Sequence, residues 1–363
     1  MALNARSNRS NSRFVMRIRK FGRPSANPGP SADPVRGRTR AVTSASWRLL
    51  PRTRALARCL LMRLRLGQWA LAIRRIRADY RHFTGRTPSL LRPRRFTEKM
   101  QWRKLFELDA SFAVLSDKLA ARDFVAACIG PGRQAELLWA GNDPDAIPFD
   151  RLVPPYVLKS THASGQVIIV RDLSELDVAA ARAAARGWLA YCHGTSMNEP
   201  AYIHLPRRLI VERLLLRPDG TTPLEQKVYV FDGRAIFIRT NTFDANGRPR
   251  FGDVYSRDWT RLPIAWDSPA HPVPPPRPVR LAEIIELAER LGAGLSHCRV
   301  DIYDCGDTLT VGELTLYSQS GLAVYADPAH DFALGAHWTI RWPMLRAFWA
   351  VAVRRWEIRP PRT

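Results

Sequence analysis

Between residues 80 and 340 the apolar side chains recur with two different periods, and the switch from one to the other divides the chain. In "FTEKMQWRKLFEL" and "SDKLAARDFVAACIG" they return every three or four positions, the spacing of a helix with one covered face. Thr97 and Ser116 stand where N-caps belong, and Gly130 stands where the second helix should stop. Further on, "PYVLKSTHASGQVIIVRDLSEL" reads as an apolar strand ending at Lys159, a loop of small residues, a strand over 167–170 and a turn into an Ala-rich helix near 175–190. "RRLIVERLL" reads as another strand, and "LEQKVYVFDGRAIFIRTNTF" as two strands around an Asp232-Gly233 turn. After the Pro-rich "SPAHPVPPPRPV", the helix "LAEIIELAERLGAG" leads into "RVDIYDCGDTLTVGELT", residues 299–315. There Val300 and Ile302 alternate with Arg299, Asp301 and Tyr303, and Leu309 to Leu314 form a returning strand, so a β-hairpin is predicted.

That hairpin raises an electrostatic question. A three-residue loop, Gly306 to Thr308, sets Asp301 opposite Glu313. Cross-strand neighbours lie about 5 Å apart, where two unit charges repel by roughly 3 kcal/mol at an effective dielectric of 20. Either that face is wet or a positive charge lies between the acids. A hard divalent cation is one such charge, and Mg²⁺ commonly takes one or two carboxylates together with phosphates and water. Lys159 poses a related choice. A loop of small residues running to Gly165 lets backbone N–H groups approach phosphate while the Lys neutralises it, although a strand-end Lys is ordinarily just solvated. No GxxxxGK[ST] loop occurs. His162 in the same loop either touches phosphate or substrate or is an ordinary loop histidine. Glu212 either receives a ribose or adenine group at a strand exit or faces water. Lys227 sits mid-strand, where a covered Lys needs a partner and an uncovered one guards an edge.

Charge separates the ends from the body. Residues 1–77 hold 19 Lys and Arg against one acid, Asp33, out of a net formal charge of +23 for all 363 residues. Residues 1–45 ("SNRSNSRF", "GRPSANPGPSADP") lack periodicity and read as a disordered basic tail. Residues 46–80 read as a basic amphipathic helix, with Met62, Leu66, Trp69, Ile73 and Ile76 on one stripe beside Arg58, Arg63, Arg65, Arg74, Arg75 and Arg77. Such a stripe suits an anionic membrane surface, and equally suits packing on the body with solvated arginines. Residues 341–363, overlapping "WTIRWPMLRAFWAVAVRRW" at 338–356, repeat the Trp/Arg pattern as a C-terminal helix. Between these ends, 81–150 reads as a helical region and 151–340 as the strand-rich domain. Five scattered cysteines without CxxC spacing argue for a reducing compartment and against a zinc site. No apolar run or leader pattern is seen, and the expectation is a cytoplasmic protein, peripheral on the inner membrane face if the stripe is used. No basic segment accompanies a nucleic-acid reading module, so no nucleic acid is expected.

The order of these features carries more than any one of them. "FTEKMQW", "LSDKLAARDFV", "YVLKSTHASG", "IVERLL", "CRVDIY" and "GELTLYSQSG" together resemble the ATP-grasp superfamily, and more closely its TupA-like family, linked to teichuronopeptide and other cell-surface polysaccharide assembly. The resemblance spans roughly 80–340. It implies an ATP-grasp fold, two α+β lobes clasping ATP, after an N-terminal helical region. It implies ATP and Mg²⁺ as cofactors. Lys159 with the loop at Ser164 and Gly165 would hold the α/β-phosphates, Lys118 would also bind the nucleotide, and Val211, Glu212 and Leu214 would form the adenine side. Asp301, Glu313 and Thr315 would bind Mg²⁺, Arg299 would face the γ-phosphate, and Lys227 and His162 would point into the same cleft. Ala163 and Gln166 depart from the family's loop, which tends to carry more glycine there; a third metal position, often Asn in the wider superfamily, is Thr315 here, as the closer family also tends to have it.

The implied chemistry joins a carboxylate to an amine through an acyl phosphate, which needs positioning and charge neutralisation more than a protein nucleophile. The substrates expected are a carboxylate-bearing saccharide or polysaccharide precursor and an amine donor. One rival is a glycosyltransferase using a nucleotide sugar, for which "DPD" at 143–145 is the sole DxD pair in reach. A second is a non-catalytic membrane-surface adaptor.

Overall fold

The computed structural model describes residues 51–243, 249–265 and 268–340, with side chains from residue 67. The tail expected over 1–45 and the helix expected over 341–363 lie outside them, as do the side chains of Met62 and Leu66. In chain order the helices are α1 (Pro51–Thr84), α2 (Phe96–Phe106), α3 (Ser111–Ser116), α4 (Ala120–Ile129), α5 (Val178–Ala190), α6 (His193–Met197), α7 (Leu281–Leu291) and α8 (Pro328–Ala336). The strands are β1 (Leu137–Gly141), β2 (Tyr156–Ser160), β3 (Val167–Val170), β4 (Leu209–Arg213), β5 (Glu225–Phe231), β6 (Arg234–Phe243), β7 (Pro249–Ser256), β8 (Arg261–Leu262), β9 (His297–Asp304) and β10 (Leu309–Thr315).

The strands make two antiparallel sheets, ordered β1-β4-β2-β3 and β10-β9-β5-β6-β7-β8. Strand alternation gives each sheet one apolar face. In the small sheet Tyr156, Leu158, Leu209 and Val211 pack under Ala181 and Ala185 of α5, whose small side chains let the helix lie close. This leaves Val157, Lys159, Ile210 and Glu212 on the other face. In the large sheet Val228, Val300, Ile302 and Leu314 pack on Ile284, Leu287, Ala288 and Leu291 of α7. The opposite face is split. At one end Tyr229, Phe231, Phe237 and His297 stack beneath Phe96 of α2 and Trp338. At the other end lie Glu225, Lys227, Arg299, Asp301 and Glu313.

Several local expectations change. Strand β1 falls inside the region read as helical over 81–150; its short LLWAG carries no alternation, and pairing with β4 is what makes it a strand. Neither Thr97 nor Ser116 is an N-cap. Thr97 lies inside α2, where its N–H and Oγ1 donate to the Asp331 carboxylate at 3.0 and 2.7 Å. Ser116 ends α3, and Asp117 Oδ1 accepts the Leu119 N–H that opens the next helix. The stripe expected over 46–80 continues to Thr84 in α1, and Ile76 and Tyr80 are fully covered. Trp69 and Ile73 pack with Ile76 on Trp102, Leu105 and Phe106, while Arg74, Arg75 and Arg77 face water. Over this part of the helix the apolar face is taken up by protein. No helix among the described residues is long and apolar enough to cross a membrane.

Burial holds the His297 imidazole well below its ordinary pKa, with the Arg103 charge adding to the effect, while Nδ1 bonds the Val230 carbonyl oxygen at 2.9 Å. The folded state therefore keeps it neutral, and only the unfolded chain takes up a proton as pH falls below about 6.5. Stability should drop from about pH 7 to about pH 5.5 by up to about 1.4 kcal/mol per pH unit for this group. His162 and His337, also depressed by burial, add to it. Denaturant titrations at the two pH values should show a shallower drop in His297→Phe; an unchanged slope would rule this assignment out.

Candidate active site between the two sheets

The hairpin β9–β10 forms, and Asp301 pairs directly with Glu313. The route to that register differs from the expected one. The connection runs from Cys305 to Thr308, one residue longer than the loop expected, and a bulge between Val311 and Glu313 restores the pairing. Without the extra residue Glu313 would fall on the apolar face beside Val300, because a one-residue slip reverses every side chain beyond it. The bulge residue is Gly312. A Cβ there would lie 2.6 Å from the Tyr303 ring, whose hydroxyl donates to Glu225 at 2.6 Å. The glycine is thus what lets a half-buried tyrosine and an inward glutamate share one strand pair.

The charge between the two acids is supplied by the protein itself. Arg299 Nε donates to Asp301 Oδ1 at 2.6 Å and Nη2 to Oδ2 at 2.7 Å, and Nη2 also reaches Glu313 Oε1 at 3.0 Å. Lys227 Nζ donates to Asp301 Oδ2 at 2.8 Å and pairs with Glu225 at 2.6 Å. Thr315 Oγ1 donates to Glu313 at 2.9 Å. Burial pushes the Asp301 carboxyl up, but Arg299 and Lys227 outweigh it and hold it below its usual range. Burial dominates at Glu225 instead and raises it, against the pull of Lys227. The Lys227 ammonium is driven down by burial, yet Asp301 and Glu225 leave it above its usual value. The partner that a covered strand Lys needs is therefore two acids.

On the small sheet, Lys159 Nζ donates to Glu212 at 3.0 Å and Arg122 Nη1 to the other Glu212 oxygen at 2.7 Å. Ser164 and Gly165 are exposed at the loop tip, with Gly165 at φ +73°, a left-handed backbone that favours glycine. Lys118 joins the two sheets. Its N–H and Nζ bond the carbonyls of Thr161 and Ala163, and its ammonium feels Glu313, Lys159 and Glu212. Burial lowers its pKa, and Glu313 offsets part of that. A small cavity lined by Ser116, Lys118, Tyr202 and Glu313 lies beside it.

Three other expected residues are held by the following contacts. Val211 turns its side chain into the α5 core, mid-sheet between β1 and β2. Leu214 follows β4, with its N–H on the Pro155 carbonyl. His162 is buried, with Nε2 at 3.0 Å from the Trp188 carbonyl oxygen. Asp143 and Asp145, the DxD pair, are committed locally: Asp143 accepts the Asp145 N–H, and Asp145 is held by Arg186. Glu225, Arg122 and Tyr303 were not singled out in the sequence. Glu225 stands two residues before Lys227, on the same strand face, and that spacing is the signal that points to it.

Two antiparallel sheets, with Lys159 and Glu212 on one and Lys227, Asp301 and Glu313 on the other, are the architecture of the ATP-grasp class. The sequence profile described as TupA-like ATPgrasp matches residues 98–339, and the chain belongs to that family. No curated protein matches the chain. Among solved structures, ATP-grasp ligase PsnB complexed with minimal precursor is similar at 15% identity, covering 67% of this chain and 62% of that one, with a TM-score of 0.34. D-alanine–D-alanine ligase from Bacillus anthracis is similar at 17% identity, covering 66% and 67%, with a TM-score of 0.35. The chain spans about three-fifths of the length of the PsnB chain.

Two outcomes are expected. Gly312→Val should cost about 2 kcal/mol through overpacking against Tyr303, read as a lower unfolding midpoint. Lys227→Met strands Glu225 and Asp301 with one cation fewer and should cost about 3 kcal/mol. A denaturant midpoint unchanged from wild type in either variant would contradict the packing described.

Proposed function

We propose that the chain is an ATP- and Mg²⁺-dependent carboxylate–amine ligase acting on a cell-surface polysaccharide precursor. The observation that carries this reading is the placement of Asp301 and Glu313 side by side on one sheet face, with Lys118 within electrostatic reach of Glu313 and of Lys159. The donor set fits a hard cation: two carboxylates and the Thr315 hydroxyl, all oxygen. When bound, Mg²⁺ and ATP would supply the phosphoryl group that activates a carboxylate as an acyl phosphate.

The chain's own residues then do three things. Asp301, Glu313 and Thr315 hold the metal. Lys118, Lys159 and the backbone at Ser164 and Gly165 receive phosphate oxygens, with Glu212 on the nucleotide side. Arg299 and Lys227 neutralise charge that develops during transfer, inside a face already shielded from water. A saccharide carboxylate and an amine donor are the substrates of this reading, which rests on family membership for the polysaccharide role. An anionic membrane surface as a further partner rests on the basic residues before Asp79, and His162 keeps a part in the chemistry only if its loop rearranges.

Ligand-dependent thermal unfolding separates this reading from nucleotide-sugar transfer. ATP with Mg²⁺ at about 100 times its Kd should stabilise the protein by about 2.7 kcal/mol, and a UDP-sugar should not. Stabilisation by the UDP-sugar alone would overturn the ligase. Asp301→Ala should abolish ATP turnover.

A further inference from the structure

The cluster around Asp301 is close to electrical completeness without any ligand. Three carboxylates, Asp301, Glu313 and Glu225, share two cations, Arg299 and Lys227. Both Asp301 oxygens are engaged, Oδ1 by Arg299 Nε and Oδ2 by Arg299 Nη2 and Lys227 Nζ. The Asp301 side chain is 1% exposed and that of Glu313 37%. A bare dication brought to these carboxylates would have to displace N–H donors from Asp301. It would also leave two protein cations beside it in a space of low dielectric, where like charges repel strongly. A polyphosphate removes both difficulties, because it brings negative charge and offers the guanidinium fork other oxygens to hold bidentately.

We propose that Arg299 is an internal counter-ion: it occupies Asp301 and Glu313 until phosphate oxygens draw it off, so that a divalent cation is admitted only together with nucleotide. The proposal rests on the reading of Asp301 and Glu313 as metal ligands and adds the order of loading. The geometry is suited to the exchange. Arg299 and Asp301 lie two residues apart on β9, on the same face, so rotation of one side chain suffices and the backbone ladder to β5 and β10 stays intact. Lys227 remains on Asp301 and Glu225, so the buried carboxylate is never without a cation. In this loading step Arg299 acts through the two acids, and once drawn off it faces the phosphate whose charge it neutralises during transfer.

Mn²⁺ serves as the probe, its binding read by electron paramagnetic resonance without nucleotide in wild type, Arg299→Gln, Arg299→Lys and Asp301→Asn. Removing the guanidinium should tighten Mn²⁺ binding about tenfold or more, within the usual range of coupling between sites. Arg299→Lys, a point charge unable to span both acids, should fall between; it carries the comparison if Arg299→Gln fails to fold, which near-ultraviolet circular dichroism shows. Equal Mn²⁺ affinity in wild type and the folded Arg299 variants overturns the proposal. If a non-hydrolysable ATP analogue gives protein-bound Mn²⁺ signals that are identical in wild type and Asp301→Asn, the metal-ligand reading itself is wrong and the proposal falls with it.

Discussion

The cleft depends on one buried carboxylate staying charged. Asp301 sits on the central part of the large sheet with almost no access to water, where an unpaired charge would be expelled or protonated. Arg299 and Lys227 prevent this, and each is itself kept charged by Asp301 and a second acid. The group is therefore held together as a unit. Removing any member strands the others.

The small sheet repeats the pattern with different residues. Glu212 is shared by Arg122 and Lys159, as Asp301 is shared by Arg299 and Lys227. In both sheets the basic groups suited to phosphate are held by carboxylates of the protein. A cleft built this way holds its cations in place through hydrogen bonds to its own carboxylates. The cost is that an incoming anion must compete with the carboxylates, which favours a ligand of high charge such as a triphosphate over a single carboxylate.

Much of this was legible in the sequence because strand alternation is strict. Val300 and Ile302 against Arg299, Asp301 and Tyr303 carry both the hairpin and the facing of the acids, while Lys227 in mid-strand leaves open a covered pair or an edge guard, and the structure shows the pair. What escaped is what alternation does not encode. The Gly312 bulge shifts register by one residue and leaves no periodic trace, so the loop was read one residue short while the pairing came out as expected. Strand β1 is made by its neighbour β4 and not by its own pattern. Val211 looks like its hinge neighbours in a string of letters, yet parity turns it into the core. His162 lies in the loop after Lys159, and its bond to the Trp188 carbonyl oxygen leaves no mark in the letters of that loop.

The central claim is that Asp301 and its cations act as one coupled charge cluster, and a double-mutant cycle between Lys227 and Asp301 tests it most directly. Unfolding free energies of Lys227→Met, Asp301→Asn and the double variant should reveal a coupling of about 2 kcal/mol, the double variant being more stable than the sum of the single losses allows. Losses that add to within about 0.5 kcal/mol would mean the two side chains do not hold each other, and the cleft described here would not exist in solution.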